Sequence, residues 1–198
     1  MKLDDISLRE TLARIWEDSR RKRLQMEKPA DRWSVLRGLL SPNVLAVAIF
    51  RFSIWFNRKG WRLPSVLLYY FNSIVFGFDA SPMSSIGAGL VMAHLCGCAL
   101  HAKIGRNCTL YGRAAIGGKG RGGGSGWFGG PILGDRVTVG FGGAAIGDFT
   151  VGDDATIGAG SWCFQAVEPK AIMAGVPAKL LRLKTDEDIR EEARYYHD

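Results

Sequence analysis

Apolar residues recur at every sixth position through the middle of the chain. The first series is Ile86, Met92, Cys98, Ile104, Leu110 and Ile116; after a glycine-rich interruption, a second series follows in a new phase, as Leu133, Val139, Ala145, Val151, Ile157 and Cys163. A period of six matches neither an α-helix nor an alternating β-strand. It is typical of a solenoid of short strands, in which one apolar residue per hexad points to the axis and a turn follows. The pattern predicts a mainly β domain over residues 79–182, with a projecting loop at 117–131.

The chain on either side of the repeat carries helical patterns. Ser7 and Glu10 form a capping-box pattern at the start of an amphipathic stretch, and two apolar stretches follow at 44–56 and 66–78. Each apolar stretch is shorter than the roughly 20 residues that span a bilayer. Thr185 and Asp188 repeat the capping pattern near the C-terminus. We therefore expect an N-terminal helical segment over 1–78, a C-terminal helix within 183–198, and no transmembrane helix.

Positive charge is concentrated in the N-terminal segment. Residues 1–64 contain 14 Lys or Arg against 7 Asp or Glu, whereas residues 65–198 contain 12 of each. Two interpretations of this segment stay open. Its helices could pack on the solenoid and on neighbouring subunits, or their mixture of aromatic and basic residues could anchor the protein on an anionic membrane surface. Nucleic-acid binding is not expected, because no groove-reading motif accompanies the basic residues.

The four cysteines are predicted to be small buried residues. Cys98 and Cys163 occupy the inward position of a hexad, and Cys96 and Cys108 lie four residues after one. Their spacing fits neither a metal site nor a disulfide framework, so we expect no metal. The polar first ten residues do not resemble a signal peptide. We expect a cytoplasmic protein, with a peripheral position on the inner face of the membrane as the alternative location.

Residues 72–182 resemble the hexapeptide-repeat acyltransferases, whose domain is a left-handed parallel β-helix. Within that family they resemble most the serine acetyltransferase branch, including its exopolysaccharide O-acetyltransferase relatives. The resemblance rests on the repeat, on FGFDASP leading into MAHLCG, on LYGRAAIGGKG, and on the final IGAGSWCFQAVEPKAIMAGVPAK. It implies a homotrimer with active sites between subunits and acetyl-CoA as the acyl donor.

Acyl transfer to a hydroxyl needs a general base, and histidine suits that role near neutral pH. His94 lies in the turn half of its hexad, whereas His197 lies in the C-terminal tail. Asp79 precedes His94 by fifteen residues, close to one turn of the coil. The resemblance implies that His94 is the base and that Asp79 orients it. His101 has a weaker case, as a neighbour of the acceptor.

Small residues are expected to line the path of acetyl-CoA. In the family, backbone amides at small residues contact the pantetheine arm, and the matching positions are Gly117, Gly118, Gly158 and Ala159. Lys179 matches a basic position that could meet the CoA phosphates.

The acceptor site departs from the serine acetyltransferase pattern. Ala93 stands where that pattern has an Asp, Gly129 and Gly130 replace an Arg-His pair, and Ser41-Pro42 replaces an Asp-Pro pair. A site without those charges leaves a serine zwitterion unpaired. We therefore favour a sugar hydroxyl of a polysaccharide or its precursor, stacked on Trp127 and Phe128 of the loop. Serine O-acetylation is the alternative, and an inactive scaffold at the membrane surface is a second one.

Overall fold

The structure, a computed structural model, describes residues 6–118 and 130–196. Its helices are α1 (Leu8–Gln25), α2 (Arg32–Gly38), α3 (Pro42–Arg58), α4 (Arg62–Phe76) and α5 (Asp186–Ala193). Its strands are β1 (Phe78–Ala80), β2 (Ser85–Ile86), β3 (Val91–Met92), β4 (Cys98–Leu100), β5 (Lys103–Ile104), β6 (Thr109–Leu110), β7 (Ala115–Gly117), β8 (Ile132–Leu133), β9 (Thr138–Val139), β10 (Ala144–Ile146), β11 (Thr150–Val151), β12 (Thr156–Ile157), β13 (Trp162–Cys163), β14 (Ala171–Gly175) and β15 (Ala178–Leu183).

The strands form a left-handed parallel β-helix of about 5 turns, as the six-residue period predicts. Each of the first four turns contributes one strand to each of three sheets, which we name A, B and C, and the last turn meets sheet B only through a bridge between Val151 and Val167. Sheet A has the order β1-β4-β7-β10-β13, sheet B the order β11-β8-β5-β2, and sheet C the order β15-β14-β12-β9-β6-β3. All pairs are parallel except β14 with β15, which close the coil as an antiparallel pair. The predicted inward residues of both series are at most 4% exposed, so the hexad pattern is confirmed.

The predictions for the cysteines are confirmed at three positions and wrong at one. Cys98, Cys108 and Cys163 are buried, but Cys96 is exposed. Seven positions separate Met92 on sheet C from Ala99 on sheet A, whereas five separate the corresponding residues in the next three turns. The corner that contains Cys96 is therefore two residues longer than the corners stacked on it. The extra length carries Cys96 off the position where the hexad pattern would bury it.

Helices α1, α3 and α4 pack against the first turns of the β-helix, and α3 contributes buried residues to its hydrophobic core. Phe50 of α3 contacts Phe78 of β1 edge to face, with ring centroids 5.3 Å apart. Two buried arginines fix this layer to the coil. Arg51 pairs with Asp18 and donates to the carbonyl oxygen of Gly87 at 2.7 Å. Arg21 donates to the carbonyl oxygens of Gly89 and Cys108 at 2.6 and 2.7 Å.

Within residues 6–118 and 130–196, no single helix is both long and apolar enough to cross a membrane. The sharply bent pair α2 and α3 meets the length and composition limits only when its two helices are taken together. The C-terminal capping box is confirmed, because Thr185 and Asp188 cap each other's backbone N–H groups at the start of α5.

Candidate active site

His94 lies in the longest corner between sheets C and A and is exposed, as its place in the turn half of the hexad predicts. Its ring centroid lies 6.4 Å from that of Tyr111, which occupies the same corner one turn further on. Because this corner has two extra residues, the imidazole projects beyond the shorter corners that stack on it. An exposed imidazole on a projecting corner can reach a hydroxyl group of an acceptor.

Gly112 forms the floor of a small notch beside His94. A methyl group on Gly112 would lie 2.2 Å from the Cys96 sulfur, 3.0 Å from the Phe141 ring and 3.2 Å from the His94 Cβ atom. Three side chains therefore converge over a position that only glycine leaves open. No sequence pattern indicated this convergence, because these residues come from three successive corners.

Asp79 lies on the outward face of β1, and its side chain is exposed. Its register partner in the next turn is Ala99, so one turn takes twenty residues here, five more than the separation of Asp79 and His94. The Tyr69 hydroxyl of α4 donates a 2.7 Å hydrogen bond to Asp79 Oδ1 and thereby raises the pKa of Tyr69 to about 12. Among the described residues, no hydrogen bond or ion pair joins Asp79 to His94. Tyr69 was not foreseen as a partner of Asp79.

The residues expected to bind CoA lie on two different edges of sheet A. Gly158 and Ala159 share the edge of His94, three turns further along the coil. Gly117 and Gly118 lie on the opposite edge, at the start of the glycine loop. Lys179 is exposed on β15, opposite Ala174. One subunit therefore does not bring all five residues to a single edge.

One of the weaker acceptor candidates, His101, lies at a different corner of the coil from His94. His101 begins the corner between sheets A and B, and burial lowers the pKa of its imidazole. A methyl group on Gly130 would lie 2.4 Å from the His101 carbonyl oxygen, so the end of the glycine loop returns to this second edge. Trp127 and Phe128 lie outside the described residues.

A cation that the sequence analysis missed lies one turn beyond His94. Arg113 has a backbone φ of 59°, in the left-handed region, and the equivalent corners of the other turns have Gly97, Gly142 and Gly160 there. Its exposed guanidinium lies 5.8 Å from the centroid of the Phe141 ring. Within the described part of the chain, no carboxylate forms an ion pair with it. Its position in the turn half of a hexad was the available indication that this side chain projects outward.

No three His, Cys, Asp or Glu side chains of residues 6–118 and 130–196 cluster as a metal site would require.

Comparison with known proteins identifies the family. No family model matches the chain. The chain is 33% identical to serine acetyltransferase of Mycobacterium tuberculosis over 142 residues, which are 71% of this chain and 61% of that protein. It is 30% identical to serine acetyltransferase of Helicobacter pylori (strain J99) over 163 residues, which are 80% of this chain and 92% of that protein.

The fold comparison agrees with the sequence comparison. The solved serine acetyltransferase of Neisseria gonorrhoeae matches with a TM-score of 0.80 and 27% identity, over 93% of this chain and 72% of that one. A further structure of that enzyme is a complex with serine. The chain spans 61% of the M. tuberculosis relative and 52% of the Escherichia coli relative, so it matches little more than half of some family members. The near-complete match to the H. pylori protein shows that the chain belongs to the serine acetyltransferase family.

Proposed function

We propose that this protein transfers an acetyl group from acetyl-CoA to a hydroxyl group, with serine as the first candidate acceptor. The observation that carries the proposal is its membership of the serine acetyltransferase family. The exposed His94 supports it, because the family resemblance assigns the role of base to this residue. A serine acetyltransferase in complex with CoA shares the fold, with a TM-score of 0.74. Our preference for a sugar acceptor does not agree with the names of these relatives.

His94 acts as the general base in the proposed reaction. Its imidazole takes the hydroxyl proton as the acceptor oxygen attacks the thioester carbonyl carbon. The carbon–sulfur bond then breaks, and the proton passes from the imidazolium to the departing CoA sulfur. The products are an O-acetyl ester and free CoA.

Asp79 stabilises the imidazolium that forms on His94. Tyr69 binds only Oδ1 of this carboxylate, so Oδ2 is available to the imidazole. A nearby carboxylate favours the charged form of histidine. Tyr69 then acts as a positioning residue that holds Asp79 on the His94 edge.

Acetyl-CoA binds, in this proposal, between subunits of a homotrimer. Gly158 and Ala159 lie on the edge of His94, whereas Gly117 and Gly118 lie on the other edge of sheet A. If the two edges come from neighbouring subunits, both sets can contact one elongated ligand. Lys179 supplies a positive charge for its phosphates.

Arg113 is the candidate partner for the carboxylate of serine. Ala93 and Gly130 carry no charge, and the Ser41 side chain caps α3 by accepting the Val44 N–H at 3.4 Å. None of these residues replaces the charges that the family pattern places there. An exposed guanidinium one turn from the base is suited to a bidentate carboxylate contact.

A saccharide is the second candidate acceptor, favoured by exposed aromatic rings on sheet A and at the corner between sheets C and A. Phe141, Trp162 and Phe164 are 44%, 46% and 43% exposed, and the last two rings lie 6.3 Å apart. Exposed rings of this kind suit the apolar faces of sugar rings.

A competition assay tests the proposal. Purified protein receives acetyl-CoA with serine, with a panel of sugars and oligosaccharides, or with both, and CoA release and acetylated products are measured. We expect O-acetylserine, which Arg113→Ala should reduce through a higher KM for serine with little change in the KM for acetyl-CoA. Release of CoA only with a saccharide would establish the second candidate. Absence of turnover with every acceptor, equal in wild type and His94→Ala, would support the inactive scaffold instead.

A further inference from the structure

Helix α4 buries polar residues, whereas an ordinary surface helix buries its apolar residues. Its two buried residues are Ser65 and Asn72. Ser65 exchanges reciprocal hydrogen bonds with Ser53 of α3, at 2.8 and 3.0 Å between each hydroxyl and the other backbone carbonyl. Asn72 donates to the carbonyl oxygen of Ala46 at 3.1 Å. A helix interface held by small polar residues is common where the outer surface faces lipid.

The outward face of α4 is apolar along its whole length. We call it the α4 face; its members are Leu63, Val66, Leu67, Tyr70, Phe71, Ile74 and Val75, which are between 43% and 80% exposed. These positions recur at intervals of three and four, so they form one continuous stripe. No charged residue follows Arg62 on this helix. Contiguous apolar surface of this kind marks an interaction site.

The surroundings of the α4 face are positively charged. No Asp or Glu occurs between residues 32 and 78, whereas that stretch contains, besides the buried Arg51 that pairs with Asp18, the cations Arg32, Arg37, Arg58, Lys59 and Arg62. The last three lie at the turn between α3 and α4. Trp61, 59% exposed, stands at the same turn and stacks on Phe56. Tryptophan beside basic residues at the end of an apolar helix is typical of a helix at the membrane–water interface.

We propose that the α4 face docks on an anionic lipid bilayer, with α4 lying in the plane of the interface. Its apolar residues enter the boundary between headgroups and acyl chains, and the cations at the α3–α4 turn contact lipid phosphates. Charge favours this occupant over a second copy of the chain. A second copy would present the same excess of cations to this face, because residues 32–78 contain no Asp or Glu, whereas an anionic surface attracts these cations.

Vesicle sedimentation of the full chain tests this docking. The vesicles contain either phosphatidylcholine alone or phosphatidylcholine with one quarter phosphatidylglycerol, at low and high salt. We expect at least tenfold stronger binding to the anionic vesicles at low salt, weakened at high salt. The double variant Leu67→Glu/Ile74→Glu should lose this binding, because it places two negative charges in the centre of the face.

A matched control is Leu181→Glu, which changes an apolar residue of β15 that is 69% exposed and distant in the chain from α4. It should bind vesicles as the wild type does, and both variants should retain the far-ultraviolet circular dichroism of the wild type. Unchanged binding by the double variant would refute the proposal. The proposal would also be refuted if the wild type did not bind and the double variant formed a smaller assembly in sedimentation velocity. The face would then join copies of the chain. Either result is independent of acetyl-transfer activity, which the same samples report separately.

Discussion

Replacing Arg51 with methionine should destabilise the protein strongly, because Arg51 neutralises a carboxylate that has no access to water. Asp18 is 1% exposed, and its Oδ1 accepts from Arg51 Nη2 at 2.8 Å and from the backbone N–H of Leu90 at 2.8 Å. Arg51→Met removes the charged partner and leaves only neutral backbone donors beside the carboxylate. Loss of one member of a buried pair costs about 3–5 kcal/mol, a large part of the roughly 5–15 kcal/mol that stabilises a typical domain.

The same variant should show a dependence on pH with a defined sign. Burial raises the pKa of Asp18, and the Arg51 guanidinium opposes that shift. Without Arg51 the pKa rises further, so the ionised carboxylate destabilises the folded state at pH 8. As the pH falls through the raised folded-state pKa, the carboxyl takes up a proton and this penalty disappears. The loss of stability should therefore be larger at pH 8 than at pH 5.

Urea unfolding at both pH values, followed by circular dichroism, measures the effect. Arg20→Met is the matched control, since Arg20 pairs with Glu17 on the exposed side of the same helical layer and should cost about 1 kcal/mol or less. Adding Asp18→Asn to Arg51→Met should restore about 1–2 kcal/mol, because an amide oxygen still accepts the Leu90 N–H without a buried charge. A loss below 1 kcal/mol for Arg51→Met, or an equal loss at both pH values, would refute this account.

Three further predictions concern the candidate active site. His94→Ala should lower kcat by roughly 10²–10⁴-fold with little change in CoA affinity by calorimetry, and near-wild-type turnover would exclude His94 as the base. Tyr69→Phe should move the acid limb of the kcat/KM profile to higher pH, because Asp79 loses a hydrogen-bond donor and then stabilises the His94 imidazolium more strongly. An unchanged profile would show that Asp79 does not act on His94. Gly112→Ala should lower kcat, because its methyl group would lie 2.2 Å from the Cys96 sulfur. Adding Cys96→Ala should restore part of that activity. If it does not, contact with the Cys96 sulfur is not the cause of the loss.

The repeating pattern was sufficient to predict the fold and the inward residues. An apolar residue every six positions specifies which side chains lie on the axis, since each strand is only two or three residues long and packs on copies of itself. The capping residues likewise predicted the start of α5, because a helix cap depends on neighbours within one turn of the chain. The exposed position of His94 also followed from its place in the hexad. These features depend on local sequence.

Other features were decided by contacts between distant parts of the chain. Cys96, four residues after an inward position, was predicted to be buried but is exposed, since two extra residues in its corner change the path of the backbone. Spacing placed Asp79 near His94, yet its hydrogen-bond partner is Tyr69, because α4 packs beside β1. The sequence left open whether the apolar stretch of α4 packs on the solenoid or lies on a membrane surface, and in the structure its buried polar residues face α3. Periodicity identifies the faces of an element, whereas only the tertiary structure determines which face each neighbour covers.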